Sequence, residues 1–158
     1  MAQIRRIGLI SDTHGLLRPE AVRALEGSEL IVHAGDVGAP AVLDELRRIA
    51  PVVAVRGNVD RGEWADALPG TAVAGPGIFV LHDVHDLRVD PVAAGYRAVV
   101  SGHSHKPSLT RRGGVLYVNP GAAGPRRFRL PVTLAILEIG GDWAVEFVDL
   151  GEVAGRNR

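Results

Sequence analysis

Seven side chains able to hold a metal ion, Asp12, His14, Asp36, Asn58, His82, His103 and His105, each follow closely on a short apolar run. In an open α/β sheet such positions lie beyond the carboxyl ends of strands, where ligands bind, so the seven are expected to share one rim. Asp12-Thr13-His14 and His103-Ser104-His105 have i, i+2 spacing. In extended chain that spacing points both side chains to the same side, and each pair could then grip one ion. The set offers oxygen and nitrogen ligands without sulfur. It suits manganese, iron, nickel, cobalt or zinc, with availability deciding among them as much as affinity.

Other polar residues fall nearby. His33, on a strand-like run three residues before Asp36, reads as a buried, hydrogen-bonded imidazole rather than a ligand. His85, three beyond His82, falls in a loop and is either an exposed surface histidine or a proton donor. Arg56, Arg126 and Arg127 carry the guanidinium fork that matches phosphate. Yet all of the 18 basic residues except Lys106 are arginine, so none stands out, and Arg126 and Arg127 are expected on the surface. Asn119, before Pro120-Gly121, is expected to shape a turn or support the site. Trp64 and Trp143 are expected to pack in the core or at an interface.

The elements that must position these residues are legible as an alternation. Residues 4–10 are strand-like and lead into a polar turn at 11–15, after which Pro19 suits a first helical position and Gly27 a helix end. Residues 30–34 precede Gly35-Asp36, a helical pattern covers 41–49, and residues 52–55 end at Gly57-Asn58. Strand and helix alternating in this way imply a mainly parallel sheet. Beyond residue 70 the chain is β-rich, with strands expected at 71–74, 78–81 and 98–101. Two hairpins follow, at Gly113-Gly114 between 109–111 and 115–118, and at Gly140-Gly141 between 133–139 and 143–148. Two packed sheets with helices outside are expected, in a single domain over residues 1–158 with a fraying tail after Leu150.

Composition limits the function classes. A chain of 158 residues, 46% hydrophobic and 23% charged, can bury one sizeable core and lacks the signature of disorder. Acidic and basic residues both number 18, and no basic block could track a phosphate backbone, so general nucleic-acid binding is disfavoured. The absence of cysteine excludes disulfides, zinc fingers and thiol catalysis. No apolar run approaches the roughly 18 residues of a membrane span, and residues 7–10 are too few for a signal sequence. A soluble cytoplasmic protein without membrane association is expected, and a homo-oligomer stays open.

In order and spacing, Asp12-x-His14, Gly35-Asp36, Gly57-Asn58, His82 and Gly102-His103-x-His105 resemble the calcineurin-like metallophosphoesterases. The short single-domain phosphodiesterase branch is the nearest match, and Val118-Asn119-Pro120-Gly121 resembles that branch's Asn-Pro-Gly turn. The likeness spans roughly residues 4–120. It implies an α/β fold, a four-layer αββα sandwich of two mixed sheets flanked by helices, and a site for two divalent metal ions, manganese foremost. It assigns Asp12, His14 and His105 to one ion, Asn58, His82 and His103 to the other, and Asp36 to both. Two dications against two carboxylates leave positive charge in excess, suited to a hydroxide bridging the ions and to an anionic phosphoryl group. No covalent nucleophile is then needed. Asp36, Asn58 and His85 are the catalytic candidates.

One position departs from the pattern. Many members read Gly-Asn-His-Asp where this chain has Gly57-Asn58-Val59-Asp60, and Val59 cannot donate a proton to a leaving group. The donor is then another group, with His85 the candidate, or there is none. The resemblance implies a small or activated phosphodiester as substrate. A phosphomonoesterase would share the whole metal site, and a retromer subunit of this fold uses its surface for protein partners. The completeness of the ligand set favours an enzyme over a non-catalytic interaction module.

Overall fold

The computed structural model describes residues 4–127 and 129–151, so nearly all of the tail expected to fray lies outside the described residues. Strands β1 (Arg6–Ile10), β2 (Leu30–His33) and β3 (Val52–Ala54) run parallel. Helices α1 (Pro19–Leu25) and α2 (Pro40–Arg47) connect them, and each begins with proline at its first helical position. A second group follows: α3 (Glu63–Asp66), β4 (Thr71–Ala74), β5 (Ile78–Leu81), α4 (Pro91–Ala94), β6 (Ala98–Val100), β7 (Ser108–Arg112) and β8 (Val115–Asn119). The chain then returns to the first sheet through β9 (Thr133–Ile139) and β10 (Trp143–Asp149). The strand orders are β10-β9-β1-β2-β3 and β4-β5-β6-β8-β7. Both sheets are mixed, with parallel centres and antiparallel edges.

Alternation along the strands divides the core. Ile7 and Leu9 of β1 join Leu30, Val32, Ile78, Val80, Val100, Leu116 and Leu137 between the sheets. Ile10 and Ile31 face the other way, onto Leu25 of α1 and Val42, Leu43 and Leu46 of α2. Each such side chain taken fully out of water contributes about 1.5–3 kcal/mol. On the outer face of the second sheet the covering is thinner: Phe79, Leu81, Val99 and Val115 are packed by Leu87, Tyr96 and Tyr117. The fourth layer there is a 3-10 turn (Val84–Asp86) and the single turn of α4.

Both expected hairpins form, with one difference. Gly113 and Gly114, both at positive φ, make a two-residue turn between Arg112 and Val115. The second turn takes three residues, because Ile139 pairs with Trp143 and Asp142 joins the two glycines. The one-turn elements α3 and α4 and the 3-10 turn fall where no helix was expected, being too short to show a 3.6-residue period. Among the described residues, no helix is long and apolar enough to cross a membrane.

Candidate metal centre

The carboxyl ends of β1, β2, β3, β5 and β6 open onto one edge of the sandwich and bring Asp12, His14, Asp36, Asn58, His82, His103 and His105 together. The backbone there departs from the extended chain expected of the two i, i+2 pairs. Asp12, His14, Asp36, His103 and His105 have φ of 55°, 47°, 56°, 73° and 65°, and among the described residues they are the non-glycine residues at positive φ. Each left-handed residue costs roughly 1–2 kcal/mol, and strain gathered on so few neighbours marks a functional site. The pairs converge because the chain coils around the centre, not because alternate side chains of a strand align.

Asp12 is the hub. Its buried Oδ1 lies 3.4 Å from His105 Nε2, 3.7 Å from His14 Nε2 and 3.9 Å from His82 Nε2. Opposite, Asp36 Oδ2 lies 3.2 Å from His82 Nε2 and 3.8 Å from His14 Nε2. The second oxygen of each carboxylate is held by the chain. Asp12 Oδ2 accepts from Ser11 Oγ (2.7 Å) and the His103 N–H (3.0 Å), and Asp36 Oδ1 accepts from the Val59 N–H (3.0 Å). His82 Nδ1 donates to the Ala34 carbonyl at 2.7 Å, which leaves its Nε2 turned to the carboxylates. Asp12, His14 and His105 form one compact triad, and Asp12, Asp36 and His82 form another. Asp12 thus sits in both, and Asp36 Oδ2, on the expected sharing carboxylate, faces one imidazole of each expected set, His14 and His82.

Residues outside this group hold the loops that present it. The Asp12, His14 and Gly15 N–H groups donate to the carbonyls of Gly35, Asp36 and Val37. Thr13 Oγ1 donates to the Val37 carbonyl at 2.8 Å and so accepts from His33 Nε2 at 3.0 Å, while His33 Nδ1 accepts the Gly35 N–H. His33 is therefore a neutral, fully buried staple, as expected, and burial lowers its pKa to about 4. Asp60, which the sequence reading passed over, accepts three backbone N–H groups, from Gly57, Val37 and Gly38, and so ties the β3 loop to the β2 loop. Its signal lay in the fourth position of Gly57-Asn58-Val59-Asp60. Asn119 supports the third loop, donating to the Gly102 carbonyl and Ser104 Oγ. Gly57 and Gly102 have a steric reason: a Cβ at either would collide with the carboxylate of Asp36 or Asp12.

The far side of the centre is more open. The His103 side chain is 46% exposed, and its Nδ1 stands 3.2 Å from Asn58 Oδ1 and 3.3 Å from His82 Nε2. Next to it lies Asp83, another residue the sequence reading did not single out, whose Oδ1 accepts both the His85 N–H (3.0 Å) and His85 Nδ1 (2.9 Å). His85 itself is 89% exposed. Val59 stands exposed at the rim, its N–H on Asp36. Arg56 lines a cleft beside His82 and His103, and Arg126 and Arg127 lie on the surface, as expected.

Charge and hydrogen bonding prepare the group for cations. Burial on its own would raise the Asp36 carboxyl, but the His82 hydrogen bond, the Val59 N–H and the charges of His82 and His14 outweigh it and hold the pKa at about 2. Burial likewise works against a charged His82, yet Asp36, the Ala34 carbonyl and Asp12 raise its pKa. His105 is shifted down, first by burial and then by Arg127 and His14, which favours a neutral ring with a free lone pair. Asp12 Oδ1, His14 Nε2 and His105 Nδ1 are buried without a hydrogen-bond partner, a costly state for polar atoms. Ligands each ~2.1 Å from one ion stand about 3–3.5 Å apart, close to the 3.4 and 3.7 Å from Asp12 Oδ1 to His105 Nε2 and His14 Nε2, so the residues fit a divalent metal.

Known proteins share this fold. Residues 6–142 match the model of the calcineurin-like phosphoesterase superfamily domain. A "Probable metallophosphoesterase" of Methanothermobacter thermautotrophicus is 34% identical over 151 residues, which cover 86% of this chain and 87% of that protein. Vps29 of Chaetomium thermophilum superposes with a TM-score of 0.73 at 20% identity, covering 91% of this chain and 95% of the other. A novel archaeal phosphodiesterase superposes with a TM-score of 0.68 at 23% identity, covering 90% and 99%. At such identities the two superpositions speak for the fold. The family match and the curated relative go further, and the chain belongs to the calcineurin-like phosphoesterase superfamily.

Proposed function

We propose that the protein is a metal-dependent phosphodiesterase acting on a small or activated phosphodiester. Family membership makes phosphoric ester hydrolysis the general activity, and the observation that carries the reading is Asp12 Oδ1, buried without a hydrogen bond and faced by three imidazoles within 3.9 Å. Asp12, His14 and His105 would hold one ion, Asn58, His82 and His103 the other, and Asp36 would serve both. Manganese is the first choice, with nickel, iron, cobalt and zinc compatible with the same donors. Two such ions orient a phosphoryl group, neutralise charge developing on its oxygens and lower the pKa of water. The chain's own part is to fix the ligands by strained loops, to keep Asp36 ionised, and to present Asn58 at the exposed side where a phosphate arrives.

Val59 removes the proton donor common at its position, and His85 takes that place. Asp83 holds His85 Nδ1, so the ring's Nε2 is the nitrogen free to carry a proton to a departing alkoxide. A cytoplasmic setting fits a chain without cysteine. The likeness to Vps29 supports a second reading, an interaction module of the same fold, against which stand the two metal-ligating triads built on Asp12. Metal-stripped protein given manganese, nickel, iron, cobalt or zinc in turn, and offered matched aryl monoesters and diesters, separates these. Diester hydrolysis restored by manganese, with kcat/KM at least tenfold above the monoester, is expected. Hydrolysis of neither ester with any ion would favour the interaction module, and a preference for the monoester would reject the diesterase.

A further inference from the structure

Two clefts meet at the metal centre, and both include His103 and Asp83 in their walls. One, about 290 Å³, runs past Asn58 toward Arg56, Thr71 and Asp86. The other, about 250 Å³, runs over β7 and β8 under the 3-10 turn. A phosphodiester bound at the centre has two ester arms, and the centre has two exits. We infer that the β7–β8 cleft is the subsite for one of those arms, and that it selects a polar, ring-bearing alcohol of the nucleoside class. The inference rests on the phosphodiesterase reading above and adds a specificity element to it.

The chemistry of the cleft wall carries the argument. Ser108 and Thr110 alternate with Leu109 on β7, and Thr110 pairs with Tyr117 across the ladder, so their side chains share a face. No residue among those described takes the hydroxyls of Ser108, Thr110 or Tyr117, which leaves three donors free along one wall. The Arg112 guanidinium carbon stands 5.0 Å from the centre of the Tyr117 ring. An arginine plane on an aromatic ring is a flat surface on which a nucleobase can stack, and the free hydroxyls and guanidinium N–H groups suit the base carbonyls and sugar oxygens. At about 250 Å³ the cleft equals the volume of roughly eight waters, room that a methyl or ethyl arm would leave unfilled. The opposite cleft is less suited, because Asp86 adds a second carboxylate there to the Asp83 that the two clefts share, and the pair would oppose base acceptors.

Binding tests this without turnover. Manganese-loaded protein is titrated calorimetrically with two ligands that share a P–CH₃ group and whose alkoxide leaving groups make them poor substrates, thymidine 5′-methylphosphonate and methyl methylphosphonate, and both are recovered intact at the end of the titration. The nucleoside ligand is expected to bind at least about tenfold more tightly, the scale of one stacked base. In Tyr117→Ala, and in Arg112→Ala on the exposed end of the edge strand, the ratio of the two dissociation constants should fall toward one. A wild-type ratio near one overturns the subsite, as does a ratio that both variants leave intact or a failure of both ligands to bind. Hydrolysis of bis(p-nitrophenyl) phosphate by the same samples reports separately on the phosphodiesterase reading. Turnover with no nucleoside preference defeats the cleft alone, and a preference without turnover defeats the enzyme.

Discussion

The two sides of the metal centre are built to different standards. Around Asp12, His14, Asp36 and His105 nearly every supporting atom is spoken for. Ser11 and the His103 N–H hold one carboxylate, Val59 the other, and His33 and Asp60 tie three loops through backbone groups. Around Asn58, His103, Asp83 and His85 the side chains are partly in solvent and lean on one another. His82 belongs to both, anchored by Ala34 yet facing His103. The strained, buried side costs the most to build and fixes geometry. The open side gives up fixed partners for access, which is what a substrate needs.

Removing what both sides share should have the largest effect. Asp36→Asn is expected to lower kcat at least about a thousandfold, since several kcal/mol of charge stabilisation depend on two held ions, and to strip both from the protein. Metal counting on the purified variant checks this, and loss of a single equivalent would reject a shared role for Asp36. Asp12→Asn sharpens the point, because Asp12 Oδ1 faces imidazoles of both sets: loss of two equivalents there would make Asp12 a second shared carboxylate.

A smaller effect isolates the buried side. His33 stays neutral in the folded state down to about pH 4, whereas in the unfolded chain it takes up a proton near 6.5. As the pH falls between those values the unfolded state binds the proton first, so stability is lost through that window and not further below it. The stake is about 3 kcal/mol. Urea midpoints of the metal-stripped protein should therefore fall more steeply from pH 6.5 to 4 in the wild type than in His33→Gln, and parallel curves would contradict the staple.

On the open side, His85→Ala should slow diesters with poor leaving groups by about a hundredfold and those with good ones far less, while Val59→His should flatten the dependence on leaving-group acidity. A wild-type slope already shallow and unchanged in His85→Ala would exclude His85 as the donor.

What the sequence made legible follows the same division. The strands and their order of motifs could be read because apolar runs end abruptly in Asp, Asn or His, and Pro19 and the paired glycines 113 and 114 punctuate the chain as turn chemistry requires. The left-handed backbone at Asp12, His14, Asp36, His103 and His105 could not be read, because aspartate and histidine adopt it only where surrounding hydrogen bonds impose it. Asp60 and Asp83 escaped for a related reason. Part of each role lies in partners brought from other strands, Gly38 and Val37 to one and His103 to the other, and no local spacing encodes that part. The α4 turn had local signals, an Asp90 cap, Pro91 at its first position and Gly95 at its end, but too few residues to show a period.

The contrast between a tight side and an open side predicts that the two ions differ in affinity and that hydrolysis needs both. Stripped protein titrated with manganese, with bound metal and bis(p-nitrophenyl) phosphate turnover measured on each sample, tests this directly. The first equivalent should bind tightly with little activity, and turnover should rise with occupancy of the second, saturating at about two ions per chain. Full activity at one ion per chain, or two ions bound with no turnover, would contradict a two-metal phosphodiesterase.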